Sequence, residues 1–428
     1  MLKLRTIKNK NGLLFMNQYI SNSRVTFLKS PLLKNSFFMM LYSISSAGFG
    51  FVFWTLAAKF YSPLDVGIAT ALLSSMNLIV LFSRFGLDYS IIRFFPEYDK
   101  NSIFNTSWIV TTFFAVVFGI LFIIGIDVLS PNLNFLKSPS NACTYLIFLS
   151  ANSFAILAGI SFVALRKAGL QFIQSLFVST RILFLLPFIK LKAIGIFDAI
   201  GASFIVASIF SIIYLALFGI KLNFKIDKTF LNEAFNFSVG NYLAVWFTTA
   251  PNYILPLLVL NILGVEETAY YYIAFSIASL LFMIPGSISM SLLVEGSYGK
   301  ELKKMIIKSF SIVFSIIIPA LVILYFESDW FLNIFGKTYS ENGGDLLKIM
   351  IFTSIFMTIT SIYITIKRIQ KDVNEIVILS GIIFLILIGS SYIFMLKFGL
   401  IGIGYAWVLS YGIGTVITGV LVWKNKWI

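Results

Sequence analysis

Long apolar runs separated by short polar turns recur along almost the whole chain, at 35–59, 64–85, 103–126, 141–165, 170–189, 193–219, 230–263, 268–294, 305–326, 346–366, 374–396 and 400–423. Each run is about 20 residues or longer, enough for an α-helix to cross the hydrocarbon core of a bilayer. The short alternating segments of a membrane β-barrel do not occur. The pattern predicts an all-α membrane protein with about twelve transmembrane helices.

Composition strengthens this reading. Hydrophobic residues make up 59% of the chain and charged residues 12%, where a soluble domain carries roughly a quarter charged. Lipid must cover most of the outside. Charge then orients the spans. With the N-terminus in the cytoplasm, 24 of the 32 basic residues fall in cytoplasmic segments or span ends and seven fall outside, leaving Arg181 within a span. That asymmetry predicts a multi-pass cell-membrane protein with both termini cytoplasmic. It also accounts for the net charge of +14 without nucleic acid. Residues 1–34 are basic but lack a continuous apolar core and a small-residue cleavage site. They read as a tail or interfacial helix on an anionic leaflet.

The chain holds one cysteine, Cys143, and no histidine. An internal disulfide is therefore excluded. The commonest general base and zinc ligand are missing, so no metal and no cofactor is expected.

Three segment pairs match at nearly one offset. Phe162–Lys167 resembles Tyr363–Arg368 at 201 residues. Gly195-Ile196 with Ala202 resembles Gly399-Leu400 with Ala406 at 204. Glu97 followed by Lys100 resembles Glu295 followed by Lys300 at 198. Each falls at the same place in a six-span unit. The inference is a basic segment 1–34, then six-helix lobes at 35–221 and 222–428. Six being even, the lobes are parallel, related by a pseudo-twofold axis along the membrane normal, with a central cavity.

Charges within a bilayer are costly and mark candidate sites. Arg181 lies about 11 residues into its span, ~16 Å deep at 1.5 Å per residue. Gln171, Gln174 and Ser175 share an arc with it at helical spacing, so the stripe should face the interior. A guanidinium there suits a phosphate or pyrophosphate, or else a structural pairing with carbonyls or a buried acid. Arg84, Asp88, Arg93 and Glu97 form two i,i+4 pairs at a cytoplasmic span end. They read as self-paired interfacial charge or as a vestibule for an anionic headgroup. Lys59 and Asp65 flank an outer turn and are outer-gate candidates. The seventh span carries Glu233, Asn236, Asn241, Pro251 and Pro256, a polar, kinked and so lumen-lining pattern. No carboxylate lies near the middle of any span.

Ala57–Gly67 and Gly86–Glu97 resemble the start of Wzx-type polysaccharide-biosynthesis flippases, of the multidrug/oligosaccharidyl-lipid/polysaccharide exporter superfamily. Ile194-Gly-Ile196, Leu263–Tyr272 and Phe331–Tyr339 are similar to further pieces of that family. The resemblance implies flipping of polyprenyl-phosphate-linked oligosaccharide to the outer leaflet. Arg181 and Arg93, with Arg84 behind them and Gln171 and Gln174 beside, would meet the pyrophosphate. Membrane lipid and glycan-assembly enzymes would be partners. A multidrug exporter of the same superfamily is the alternative, although 37–58 has no acid. A membrane-embedded glycosyltransferase would need paired acids and a large outer loop, which are not visible.

Overall fold

The computed structural model describes residues 31–96, 98–297, 302–370 and 372–424. Most of the basic segment 1–34, together with Glu97 and Lys371, lies outside these residues. Among those described, every regular element is helical. The first half comprises α1 (Pro31–Phe60), α2 (Pro63–Ser83), α3 (Leu87–Phe94), α4 (Lys100–Ile124), α5 (Ile126–Leu129), a 3-10 segment (Pro131–Lys137), α6 (Pro139–Ala164), α7 (Ala168–Val178), α8 (Arg181–Leu185) and α9 (Lys192–Leu217). The second comprises α10 (Lys228–Thr249), α11 (Pro251–Ile262), α12 (Val265–Ser297), α13 (Leu302–Phe326), α14 (Ser328–Asn333), α15 (Lys337–Met350), α16 (Thr353–Ile369), α17 (Val373–Phe398) and α18 (Ile401–Lys424).

Eleven described helices are long and apolar enough to cross a membrane, and the pair α15–α16, bent by 41°, makes up to twelve. The tenth run is thus a bent pair of helices, not one straight helix. The protein is a multi-pass membrane protein. Its outer surface is apolar, with Ile124, Leu217, Leu385 and Val416 exposed, while Ser74, Asn105, Thr106 and Ser107 are buried within it. This is the distribution expected where lipid is the solvent.

The few acids have a visible use at helix starts. Asp65 and Ser62 form a capping box at α2, with Pro63 in the first turn. Asp99 caps α4, Asp227 caps α10 and Asp372 caps α17. Each carboxylate accepts backbone N–H groups that a helix end leaves unpaired, and it complements the helix dipole. The Asp227 carboxyl is held below the ordinary carboxylate range, first by the Phe230 N–H and then by the Ser102 hydroxyl.

The two halves repeat in backbone geometry. Lys192 enters α9 at φ 54°, ψ −136°, and Gly399 precedes α18 at φ 60°, ψ −142°. A Cβ on Gly195 would come within 2.1 Å of the Phe188 carbonyl oxygen, and one on Gly402 within 2.2 Å of the Phe394 oxygen. Both equivalences have an offset of 207, so pairing Gly195 with Gly399 is about one helical turn out of register. The ends of α6 and α16 behave alike: Lys167 N donates to Phe162 O at 2.8 Å, and Asp372 N to Lys367 O at 2.9 Å. Their offset is 205 rather than 201. Side-chain similarity drifts among interchangeable apolar residues, whereas helix ends are fixed by backbone hydrogen bonds.

Lys192 holds a left-handed conformation that its counterpart reaches as glycine. Such strain costs of order 1–3 kcal/mol for a residue with a Cβ. Lys192→Gly should therefore stabilise the protein by about 1 kcal/mol, read as a higher unfolding temperature in detergent. A lower temperature would refute the strain argument.

The lobes meet along α2, α11 and α12. Gly67 of α2 lies so close to Val265 of α12 that an added Cβ would stand 2.0 Å from the Val265 carbonyl oxygen. At the same end, Asn132 Nδ2 donates to Leu260 O at 3.2 Å and Asn261 Nδ2 to Leu129 O at 2.6 Å. At the opposite, basic end, Tyr242 of α10 donates to Leu81 O at 2.6 Å and Ser90 to Ala234 O at 3.4 Å.

Candidate functional site between the lobes

Arg181 is aimed by a helix break. The α7 helix stops at Val178, and Ser179 and Thr180 form a turn before α8 begins at Arg181. The hydroxyls take part: Ser179 donates to Ser175 O at 2.8 Å and Thr180 to Phe177 O at 2.6 Å. Such back-bonding bends helices. The break turns Arg181 away from the Gln171–Ser175 face and towards α1. Its guanidinium carbon lies 5.0 Å from the Phe53 ring centroid, a cation–π distance. It lies against Gly50, where a Cβ would sit at ordinary contact distance, 3.5 Å, from a guanidinium nitrogen. Nε is buried without a hydrogen-bond partner. No carboxylate forms a salt bridge with Arg181 among the described residues.

Gly50 also lines a cavity of about 380 Å³ between α1 and α12. Hydroxyls face it from both lobes: Tyr42, Ser43 and Ser46 from α1, and Ser276 and Ser279 from α12. Aromatic rings close it at the end bearing the α1–α2 turn. Trp54 packs against Tyr272 with centroids 4.8 Å apart, and Phe51 against Phe335 at 5.1 Å. The guanidinium therefore lies against Gly50 in the wall of a chamber of hydroxyls and aromatic faces at the lobe interface, without itself lining the cavity.

A second arginine, Arg84, stands at the C-terminal end of α2. Arg84 Nη1 pairs with Asp88 at 3.0 Å while its Nε is buried and unpartnered. Tyr42 lines the chamber, and Tyr272 packs on Trp54 at its closed end. Sequence reasoning passed over these tyrosines, because an aromatic in a membrane helix ordinarily signals packing.

The other candidate residues fall in several places. Arg93 is exposed at the end of α3, over the Phe94 ring at 5.7 Å. Gln174 faces into its own lobe, donating to Ala155 O at 2.8 Å and the Ser211 hydroxyl at 2.9 Å. Gln171 also lies against α6, its Cγ 3.7 Å from the position of a Gly159 Cβ. The glutamine stripe does face the protein interior, as its spacing predicts, but within the first lobe; neither glutamine lines the chamber beside Arg181. Asp65 completes its capping box and also accepts from Ala193 N at 3.0 Å, tying α2 to α9 within one lobe. That work is structural, not that of a gate between lobes. Lys59 is exposed at the end of α1. Glu233 accepts from Tyr98 of the first lobe. Pro251 begins α11, dividing the long seventh run, and Pro256 lies inside α11. The side chains of Asn236 and Asn241 lie outside the described residues.

A family profile described as "Polysaccharide biosynthesis protein" matches residues 32–294, well over half of the chain. The chain belongs to this polysaccharide biosynthesis family. Solved structures share its fold. A structure of the lipid II flippase MurJ in an inward closed conformation superposes with a TM-score of 0.69 at 18% identity, covering 90% of this chain and 87% of the other. An inward-facing multidrug resistance MATE transporter of the MOP superfamily gives 0.65 at 16%, covering 90% and 93%. An outward-facing MATE transporter gives 0.61 at 12%, covering 93% and 95%. A search of curated proteins returns no significant match. The architecture is the two-lobed MOP fold.

Proposed function

We propose that this protein is a flippase that carries polyprenyl-phosphate-linked oligosaccharide from the cytoplasmic to the outer leaflet of the cell membrane. Transport is by alternating access between lobes taken as 35–221 and 222–428. The carrying observation is Arg181, half-buried at the lobe interface with its Nε sealed and unpartnered, beside a hydroxyl-lined chamber and with no acid paired to it among the described residues. An unpaired cation in such a place is costly. A phosphate or pyrophosphate supplies the missing charge and accepts paired hydrogen bonds from a guanidinium. Serine hydroxyls and aromatic faces suit the adjoining sugar.

Arg84 lies behind Arg181, held meanwhile by Asp88, and Arg93 gives the basic end a first attraction for the headgroup. Both termini are cytoplasmic in this reading, so the basic end faces the leaflet where substrate is made. Gln171 and Gln174 hold the wall that aims Arg181 rather than touch substrate. Glu233 and the α10–α11 break serve lobe movement. The family supports a glycan-directed role, and glycan-assembly enzymes are the natural neighbours in the membrane.

Depletion of the protein should leave lipid-linked glycan accessible only from the cytoplasmic side, scored by a leaflet-access assay in inverted and right-side-out vesicles. Normal outward glycan in a clean deletion with no redundant flippase would overturn the proposal.

A further inference from the structure

Away from the arginine chamber, α9 carries a carboxylate, Asp198, inside the membrane-spanning stretch. It lies six residues past the start of the helix, ~9 Å along it at 1.5 Å per residue, so it is off the midplane. Its Oδ1 is sealed from solvent and has no hydrogen-bond partner. The carboxylate borders a cavity of about 130 Å³, room for roughly four waters at ~30 Å³ each. The other polar groups in the wall are Ser140, Asn141 and Thr144 at the start of α6. Asn141 spends its amide N–H on Phe135 O at 3.0 Å, which leaves its amide oxygen to face other partners. Two hydroxyls, an amide oxygen and a carboxylate therefore surround the space. Ser140 is exposed, giving water and ions a way in.

Asp198 is half-buried with one oxygen sealed, and a partly desolvated carboxylate beside a polar cavity is stabilised by a countercharge. Oxygen-only lining is what hard cations take. One carboxylate matches one positive charge, and no group of three acidic, histidine or cysteine side chains stands ready for a multivalent metal among the described residues. We propose that Asp198, with Asn141, Ser140 and Thr144, binds a monovalent cation of the size of Na⁺.

The position gives the ion a task. Phe135 and Leu136 of the 3-10 segment form part of the cavity wall. The same segment reaches the second lobe through Asn132, which donates to Leu260 O at 3.2 Å. Ion occupancy would steady the segment that seals the lobes at this end and favour the state closed there. By linkage, the closed state would bind the ion more tightly. This coupling rests on the transport reading above; the ion site does not.

The test uses the purified full-length protein in detergent, with ²²Na⁺ binding and thermal unfolding in sodium chloride against N-methylglucamine chloride at equal ionic strength. Wild type should bind saturably and unfold at a higher temperature in sodium. Asp198→Asn should lower ²²Na⁺ affinity at least about tenfold, as expected for losing the one charged ligand. Thr144→Val should weaken it less, and serves as the readout if Asp198→Asn does not fold. An equal sodium response in both variants and wild type would place any ion elsewhere and overturn the proposal. So would a response to pH with none to sodium, since the carboxyl would then take only a proton. Sodium binding without flipping would sink the transport reading and leave the site. Flipping without a sodium response would do the reverse.

Discussion

Arg181→Ala should reduce flipping by at least about 100-fold, which is the loss of two charge-assisted hydrogen bonds of about 1.5–3 kcal/mol each. Arg181→Lys should recover only part of this. A lysine keeps the charge but loses the planar fork that grips two phosphate oxygens together. The decisive feature is that stability should move the other way. Arg181 is half-buried, its Nε is sealed with no partner, and no salt bridge engages the group among the described residues, so its partial desolvation is offset only by the Phe53 ring. Removing a partly buried, unpaired charge relieves that cost. Arg181→Ala should therefore insert normally and unfold at the same temperature as wild type or higher. A structural arginine behaves oppositely: its removal lowers the unfolding temperature and spares the rate of the protein that folds. Full activity of Arg181→Ala in a leaflet-access assay would remove the residue from the mechanism.

The sequence told unequally about fold and site. The spans were legible because crossing lipid demands long uninterrupted apolar helices, and few other structures meet that demand. The lobes were legible through repetition, although the register drifted by four residues at the end of α6 and three at the start of α9. Arg181 stood out because a charge in an apolar run has few innocent explanations. Its surroundings were not legible. Helical periodicity placed Gln171 and Gln174 beside it, but the Ser179-Thr180 turn interrupts the period; Gln174 bonds within the first lobe and Gln171 packs towards Gly159 of α6. Nothing in a single hydroxyl-containing dipeptide tells a break from a continuing helix. Asp65 looked like a gate because it lies in an outer turn. Its second bond, to Ala193 N, joins residues 128 positions apart, a contact that local pattern cannot anticipate. Asp198 escaped notice for a related reason. Its isolation becomes meaningful only when the start of α6 and the 3-10 segment are folded against it.

The same long-range logic singles out Gly67, where the expected effect is large and mechanical. Gly67→Ala would place a methyl 2.0 Å from the Val265 carbonyl oxygen and 3.0 Å from Val265 Cγ1. The first contact is with backbone, so no rotamer change relieves it, and α2 must part from α12 by about 1 Å to restore ordinary contact. Overpacking of this kind costs about 1–3 kcal/mol, which corresponds to an approximately 5–150-fold shift away from the state closed at this end. The neighbouring Asn132–Leu260 and Asn261–Leu129 links would weaken with it, since they span the same gap between the lobes. A carrier needs this end closed while substrate enters at the other, so flipping should fall with the seal. Thr268 is fully buried beside the contact, and it offers a readout independent of transport. In a Cys143→Ser background, which removes the only native cysteine, Thr268→Cys should resist a membrane-impermeant maleimide. Adding Gly67→Ala should speed labelling at least tenfold, and Gly67→Val more. Gly389→Ala is the matched control, because a Cβ there meets nothing within 4 Å, and it should leave both labelling and transport unchanged. If Gly67→Ala left Thr268→Cys protected and flipping at the wild-type rate, the α2–α12 contact would not be the seal.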